Sequence, residues 1–268
     1  MPIVRVGPLP DWMPVDRLLG PQSWTVQPDP HGVQAIAELT REQAADVLAR
    51  LRGLAFGGLD LRVQVRPSLK RPQVRAGRLR EARAMRDRTP GFEHPSAKLD
   101  EEGRFSLTPA ALALDLGARA QARTVLDLTC GAGGNAIGFA RAGSTVVAVD
   151  KDPGRLALAR HNAGLYAVNR QISLRLGDAR ELVAELRADL VFIDPPWGSW
   201  DHRRTVLSDL PLLASILERL GPADRWWAKV PPSFVPSSVP ADVSVEAWFG
   251  RRPGDRHRVK FLLLRHDP

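Results

Sequence analysis

Four acidic residues stand at the ends of strand-like runs, where an open α/β sheet presents ligand-binding side chains. Val125 to Leu128 is an apolar run with Asp127 inside it, and it leads into Cys130-Gly131-Ala132-Gly133-Gly134-Asn135. The glycines permit a tight turn and let a ligand approach the backbone closely. Asp150 ends the next run, Val146 to Val149, and Asp178 follows Gly177 after Ile172 to Leu176. A glycine turn with an acid at the end of the second strand reads as a nucleotide site in which the acid holds a ribose. The glycine turn alone also satisfies a dinucleotide pattern, so Asp127 has to separate the two ligands. A carboxylate four residues before the first glycine repels a pyrophosphate and attracts an ammonium. S-adenosylmethionine, with its methionine ammonium, is therefore expected over NAD. Its binding set is Asp127, Gly131, Gly133, Asn135, Asp150, Asp178 and Ala179. The structural alternative for Asp127 is a buried acid satisfied by backbone N–H groups.

The fourth acid opens Asp194-Pro195-Pro196-Trp197, directly after the apolar run Leu190 to Ile193. An exocyclic amine on a base is a poor nucleophile because its lone pair is delocalised into the ring. An enzyme that alkylates it must accept hydrogen bonds from its N–H groups, and the Asp194 carboxylate and the Pro195 carbonyl are suited to that. Proline lacks an N–H and fixes φ, which stiffens the acceptor geometry. Trp197 would stack on the base, which has to leave any helix to reach the methyl group. Asp194, Pro195 and Trp197 are the expected catalytic residues; the chemistry requires no metal and no covalent intermediate. Cys130 has no His nearby in the sequence, so thiol catalysis is not expected.

These residues need a scaffold. From Thr124 onward strands alternate with helices, ending in the run Trp226 to Val230 and two late strands, Val243 to Phe249 and Arg258 to Arg265. That alternation implies a mostly parallel sheet covered on both faces, closed by an antiparallel hairpin. Asp152 and Pro153 mark the start of a helix reaching to about Ala167. Upstream, Thr40 and Gln43 have capping-box spacing at the start of an amphipathic helix within Leu39 to Phe56, and Leu59 to Val65 alternates as a strand. Eight of the residues from Lys70 to Arg88 are Lys or Arg, against Glu81 and Asp87. This stretch, including Arg75 and Arg78, reads as a phosphate-gripping surface or as a solvated helix face. The division expected is a small basic unit over 1–95 and a catalytic domain over 96–268.

The formal charge of +8 and the pI near 10.6 favour a polyanionic partner, since each phosphate neutralised releases counterions. A single cysteine excludes an internal disulfide, and the prolines scattered through the first thirty residues break any apolar run into pieces too short for a signal peptide or membrane span. A soluble, cytoplasmic protein is expected.

Over roughly Gly103 to Asp267 the sequence resembles the trimethylguanosine synthase family, the RNA cap guanine-N2 methyltransferases. Phe105-Ser106-Leu107-Thr108-Pro109 is similar to that family's Phe-Ser-Val-Thr-Pro, Cys130 to Asn135 to its Cys-Gly-Val-Gly-Gly-Asn, and Asp194-Pro195-Pro196-Trp197-Gly198 to its Ser-Pro-Pro-Trp-Gly. Asp150-Lys151-Asp152-Pro153 and Gly177-Asp178 also follow its pattern. The resemblance implies a Rossmann-like class I methyltransferase fold with a seven-stranded sheet, Asp178 near the adenine amino group, and Trp197 stacked on the target base. It also implies substrate contacts from Phe105, Ser106, Thr108 and Pro109, and Trp200 stands where a second wall of the base pocket would be. Asp194 replaces the family's serine and Ser199-Trp200 its glycine and proline, so the cap itself is a poor expectation. Guanine-N2 methylation of structured RNA, ribosomal or transfer RNA, is the leading reading. Adenine-N6 methylation of RNA or DNA is the alternative; a non-catalytic RNA-binding or assembly factor and a protein glutamine methyltransferase are the other classes considered.

Overall fold

A computed structural model describes residues 1–198 and 203–268. The chain opens with β1 (Ile3–Leu9), a short helix α1 (Val15–Leu19), β2 (Thr25–Asp29) and β3 (Gly32–Glu38). Helix α2 (Arg41–Leu51), a two-residue ribbon of β4 (Ala55–Phe56) and β5 (Leu59–Asp60), β6 (Arg62–Arg66) and helix α3 (Arg71–Ala84) follow. The four longer strands form an antiparallel sheet in the order β2-β3-β1-β6. Its first three strands run through the proline-cut region because each proline present sits where no ladder bond is lost: Pro28 is on the edge strand β2, and Pro8 lies at the register shift between Val6 and Leu9. The Thr40/Gln43 capping box is present, with the Gln43 N–H donating to Thr40 Oγ1 at 3.2 Å and the Thr40 N–H to Gln43 Oε1 at 2.9 Å. The expected strand from Leu59 to Val65 is interrupted. The Leu61 N–H turns back to donate to the Leu54 carbonyl at 3.0 Å, and pairing with β1 begins only at Arg62.

Most of the basic stretch folds as α3, a polar helix that packs on α2 through its buried Gly77. At Gly77 a Cβ would lie 2.5 Å from the Ala45 carbonyl oxygen, so only glycine allows this approach. The segment leading on to α4 (Gly103–Ser106) is tied down at intervals. Thr89 donates through its N–H and hydroxyl to the two oxygens of buried Asp255, each at 2.9 Å, and the Asn162 amide bridges both backbone groups of Lys98.

Then come α5 (Ala110–Ala120), β7 (Thr124–Asp127), α6 (Gly134–Arg141), β8 (Thr145–Asp150), α7 (Pro153–Leu165), β9 (Ile172–Leu176), α8 (Ala179–Glu185) and β10 (Leu190–Ile193). The last elements are α9 (Pro211–Leu217), β11 (Trp226–Val230), β12 (Ser244–Phe249) and β13 (Val259–His266). The large sheet has the order β12-β13-β11-β10-β7-β8-β9, parallel except for β13, which runs antiparallel to both β11 and β12. This is the class I methyltransferase arrangement: a mostly parallel seven-stranded sheet closed by a hairpin. The chain proceeds outward from β7 to β9, then crosses to β10 on the other side of β7. The resulting switch point opens a crevice at the carboxyl ends of β7 and β10.

Val4, Leu18 and Phe56 belong to the same buried cluster as Leu126, Ile193 and Leu262, so the N-terminal sheet packs on one face of the large sheet. Leu112, Phe139, Phe192 and Trp227 fill the other face. Among the described residues no helix is long and apolar enough to cross a membrane, and no cluster of His, Cys, Asp or Glu is placed to hold a metal ion.

Candidate active site

The crevice is a cavity of about 350 Å³, lined by the glycine turn, Asp150, Asp178, Asp194 to Trp197, the segment 103 to 108 and the start of α9. Gly131 has φ +52° and nothing within 4 Å of where a Cβ would stand, so its backbone faces open space. Gly133, at φ +90°, does a different job: it lets the start of α6 approach Ala159 of α7, 3.2 Å from a Cβ position, and it does not line the cavity.

Asp150 braces the turn. Its Oδ2 accepts from the Gly131 N–H at 3.0 Å and its Oδ1 from the Asp152 N–H at 2.9 Å, while the residue itself lines the cavity. Asp178 caps α8 and is paired with Arg180, whose hydrogen bonds hold its carboxyl down at about 2. Ala179 lines the cavity beside it. Asp127 is fully buried and is not itself a lining residue. One oxygen accepts from the Thr129 N–H at 3.3 Å; the other is buried without a partner. Burial, reinforced by the charges of Asp194 and Asp150, lifts the Asp127 carboxyl to about 8. Burial likewise pushes the Cys130 thiol well up, which leaves no thiolate for nucleophilic chemistry.

Asp194 is fixed from three sides. Its N–H donates to Thr129 Oγ1 at 2.7 Å, and its Oδ2 accepts from the Asn135 amide at 3.0 Å and from the Lys229 ammonium at 2.8 Å. The hydrogen bonds from Asn135 and Lys229 both fall on Oδ2, and neither reaches Oδ1. Burial raises the Asp194 carboxyl above the usual carboxylate range, and Lys229, Asn135 and Thr108 oppose that rise. Pro195 is buried at the cavity wall, and the half-buried Trp197 has its indole N–H 3.4 Å from the Lys229 carbonyl oxygen.

Lys229 is the functional residue that the motif reading missed. It sits on β11 with only 3% of its side chain exposed, and it donates both to Asp194 and to the Ser106 carbonyl at 2.9 Å. Its ammonium lies 5.1 Å from the centre of the Trp197 ring and 5.6 Å from that of Phe261. The signal was present as a lone lysine in the otherwise apolar run Trp226 to Val230, since a lysine inside a central strand requires a partner.

The other expected substrate residues are spread more widely. Thr108 is buried at the cavity, where its hydroxyl helps hold the Asp194 carboxyl down, and Ser106 contributes its carbonyl to Lys229. Phe105 is 88% exposed, Pro109 caps α5, and neither lines the cavity. Arg75 and Arg78 are exposed on α3, also away from it. Trp200 lies outside the described residues.

Residues 122–218 match the family of RNA cap guanine-N2 methyltransferases. The matched stretch contains both the glycine turn and Asp194 to Trp197, so the resemblance seen in the motifs holds across that segment. The chain is 33% identical over 129 residues to trimethylguanosine synthase of Saccharomyces cerevisiae, covering 44% of this chain and 41% of that protein. It is 30% identical over 110 residues to the Schizosaccharomyces pombe trimethylguanosine synthase, covering 37% and 46%. The chain thus matches less than half the length of these relatives. Among solved structures, an RNA methyltransferase from Salinibacter ruber in complex with S-adenosyl-L-homocysteine aligns with TM-score 0.38 and 20% identity, over 58% of this chain and 87% of that one.

Proposed function

We propose that this protein transfers a methyl group from S-adenosylmethionine to the exocyclic N2 of a guanine in a structured RNA. The observation that carries the reading is the Asp194 carboxylate, held by Asn135 and Lys229 through Oδ2 rather than Oδ1, and lining with Trp197 a glycine-walled cavity.

The residues suit the cofactor. The open backbone at Gly131, the buried oxygen of Asn135 and the acid at Asp150 line the cavity as acceptors for an ammonium and a ribose, with the buried Asp127 carboxyl behind them; of the cations in the lining, Arg155 is paired with Asp100 and Glu102 and Arg180 with Asp178. Asp127 would take the methionine ammonium, Asp150 the ribose hydroxyls, and Asp178 with Ala179 the adenine. When bound, S-adenosylmethionine supplies an electrophilic methyl carbon on a sulfonium. Trp197 stacks the base and Asp194 Oδ1 accepts an N–H from its amine, so the nitrogen lone pair is aimed at that carbon in a water-poor site. On transfer the amine nitrogen would shed a proton, which Asp194 would accept and pass to solvent.

The test is transfer from isotopically labelled S-adenosylmethionine into undermodified ribosomal and transfer RNA, followed by nucleoside digestion and mass spectrometry. Label in N2-methylguanosine is expected. Label in N6-methyladenosine would replace guanine by adenine as the target, and tight cofactor binding with no label in any RNA would favour a binding factor.

The state of Asp127 gives an independent check on cofactor placement. Since its carboxyl sits at about 8, it carries a proton at pH 7 in the free protein, and an ammonium beside it would lower that value and expel the proton. Binding of S-adenosylhomocysteine at pH 7 is therefore expected to release about one proton, read by calorimetry as an enthalpy that varies with the buffer's ionisation enthalpy. The effect should vanish above pH 9, where the proton is already gone, and in Asp127→Asn. A buffer-independent enthalpy in the unaltered protein would remove Asp127 from the ammonium site.

A further inference from the structure

Where α2 and α3 meet the turn between β12 and β13, positive charge exceeds what the local carboxylates neutralise. A cavity of about 310 Å³ there is lined by Arg50, Arg80, Arg256, His257 and Arg258, with Asp46 and Glu81 as its acids. The acids are already engaged: Asp46 with Arg80 at 2.7 Å and Glu81 with Arg258 at 2.6 Å. Among the described residues Arg50 and Arg256 have no carboxylate partner. Arg50 donates to the Leu19 carbonyl at 2.7 Å; Arg256 donates to His257 Nε2 at 3.0 Å, and His257 Nδ1 in turn to the Arg17 carbonyl at 2.8 Å. The Nε atoms of Arg50 and Arg258 are buried without any acceptor, a costly state for a charged donor. Burial holds the Arg50 guanidinium below its ordinary range; Glu81 and Asp46 oppose this, and Arg258 and Arg256 add to it. A bound oxyanion would relieve both the crowded charge and the unpartnered donors, and guanidinium groups suit phosphate oxygens.

The location matters as much as the charge. β13 runs antiparallel to β11 with Leu262 opposite Val230 and His266 opposite Trp226, so the turn before Val259 lies at the same sheet edge as Asp194. Two to three strand spacings separate it from β10, about 10–14 Å along that edge.

We propose that this seam binds a phosphodiester of the RNA strand whose base enters the catalytic cavity, with Arg50 and Arg256 as the uncompensated charges. The identity of the strand rests on the function proposed above; the anion site does not.

The test is the salt dependence of RNA binding by the full chain, followed by fluorescence anisotropy without cofactor. Arg256 is exposed, so Arg256→Gln should fold normally, and Arg50→Gln serves as the second variant. Each is expected to weaken binding and to lower the slope of log affinity against log salt by about 0.7, the share of one phosphate contact on a single strand. Arg187→Gln, an exposed arginine before β10 at the opposite sheet edge, should leave the slope unchanged. An unchanged slope in Arg256→Gln would overturn the site. In a parallel arm, inorganic phosphate should raise the melting temperature of the unaltered protein but not of Arg50→Gln, and RNA should displace it. Phosphate protection that RNA does not displace would overturn the phosphodiester in favour of a free anion. Failure of the methyl-transfer assay with the slope change intact would reject methylation and leave this site standing.

Discussion

Asp194→Asn is expected to cut methyl transfer by about 100-fold or more while leaving S-adenosylhomocysteine affinity unchanged, the range over which positioned acceptors act. The argument rests on which face of the side chain is already committed. Lys229 and Asn135 both donate to Oδ2, so in the asparagine variant the amide oxygen must occupy that position to satisfy them. Its NH₂ then occupies the Oδ1 position and presents a donor to the donor amine of the base. A neutral side chain of the same shape thus inverts the polarity at the one atom facing substrate. Asp194→Ala is the less informative change, because it leaves the Lys229 ammonium buried without its counter-charge, which costs about 3–5 kcal/mol and confounds catalysis with folding. Turnover measured beside calorimetric cofactor binding separates the cases; near-normal turnover in Asp194→Asn would end the acceptor role.

Lys229→Met should produce the second large effect, in two readouts. Stability should fall by about 3–5 kcal/mol in denaturant titration, the usual consequence of removing one partner from a buried ion pair. Turnover should change its pH dependence as well. Burial already raises the Asp194 carboxyl, and the lysine is the largest influence opposing that rise. Without it the carboxyl binds its proton more tightly, so the ionised fraction at a given pH falls and the acid limb of the kcat/KM profile moves to higher pH. Activity lost at pH 7 should partly return on the alkaline side. Lys229→Arg, which keeps the charge, should restore the original limb even if its packing costs some stability. A lysine that merely fills space would give the stability loss without the pH shift. The family's serine at the Asp194 position suggests a companion measurement: Asp194→Ser combined with Lys229→Met should be more stable than Asp194→Ser alone, since the pair is removed together.

The parts of this architecture that were legible in the sequence share a physical cause. β7, β8, β10 and β11 are largely buried and read as short apolar runs bounded by turn residues, and the acids at the ends of the first three stand out against that background. β1 to β3 were hidden by prolines that are harmless in an edge strand and at a bulge, placements that depend on which neighbour each strand pairs with. Lys229 was hidden for a related reason: its partner lies 35 residues away on another strand, and only the parallel register of β10 and β11 brings the two together. Asp194 stood out in its motif, but which of its oxygens Asn135 and Lys229 occupy cannot be inferred from a motif. Gly133 is a comparable case, since the same residue type leaves open backbone at Gly131 and serves helix packing two positions later.

The packing of the N-terminal sheet against the large sheet has a further consequence. Because Val4, Leu18 and Phe56 are buried with Leu126, Ile193 and Leu262, the arginines of α2 keep a set separation from the cavity at Asp194. A recruiting module on a flexible linker raises local substrate concentration and accepts any target within its reach. Under the proposed function, one joined through a common core would act as a ruler: it would select the base lying at a defined span from a gripped phosphate and refuse RNA folds that cannot present that span.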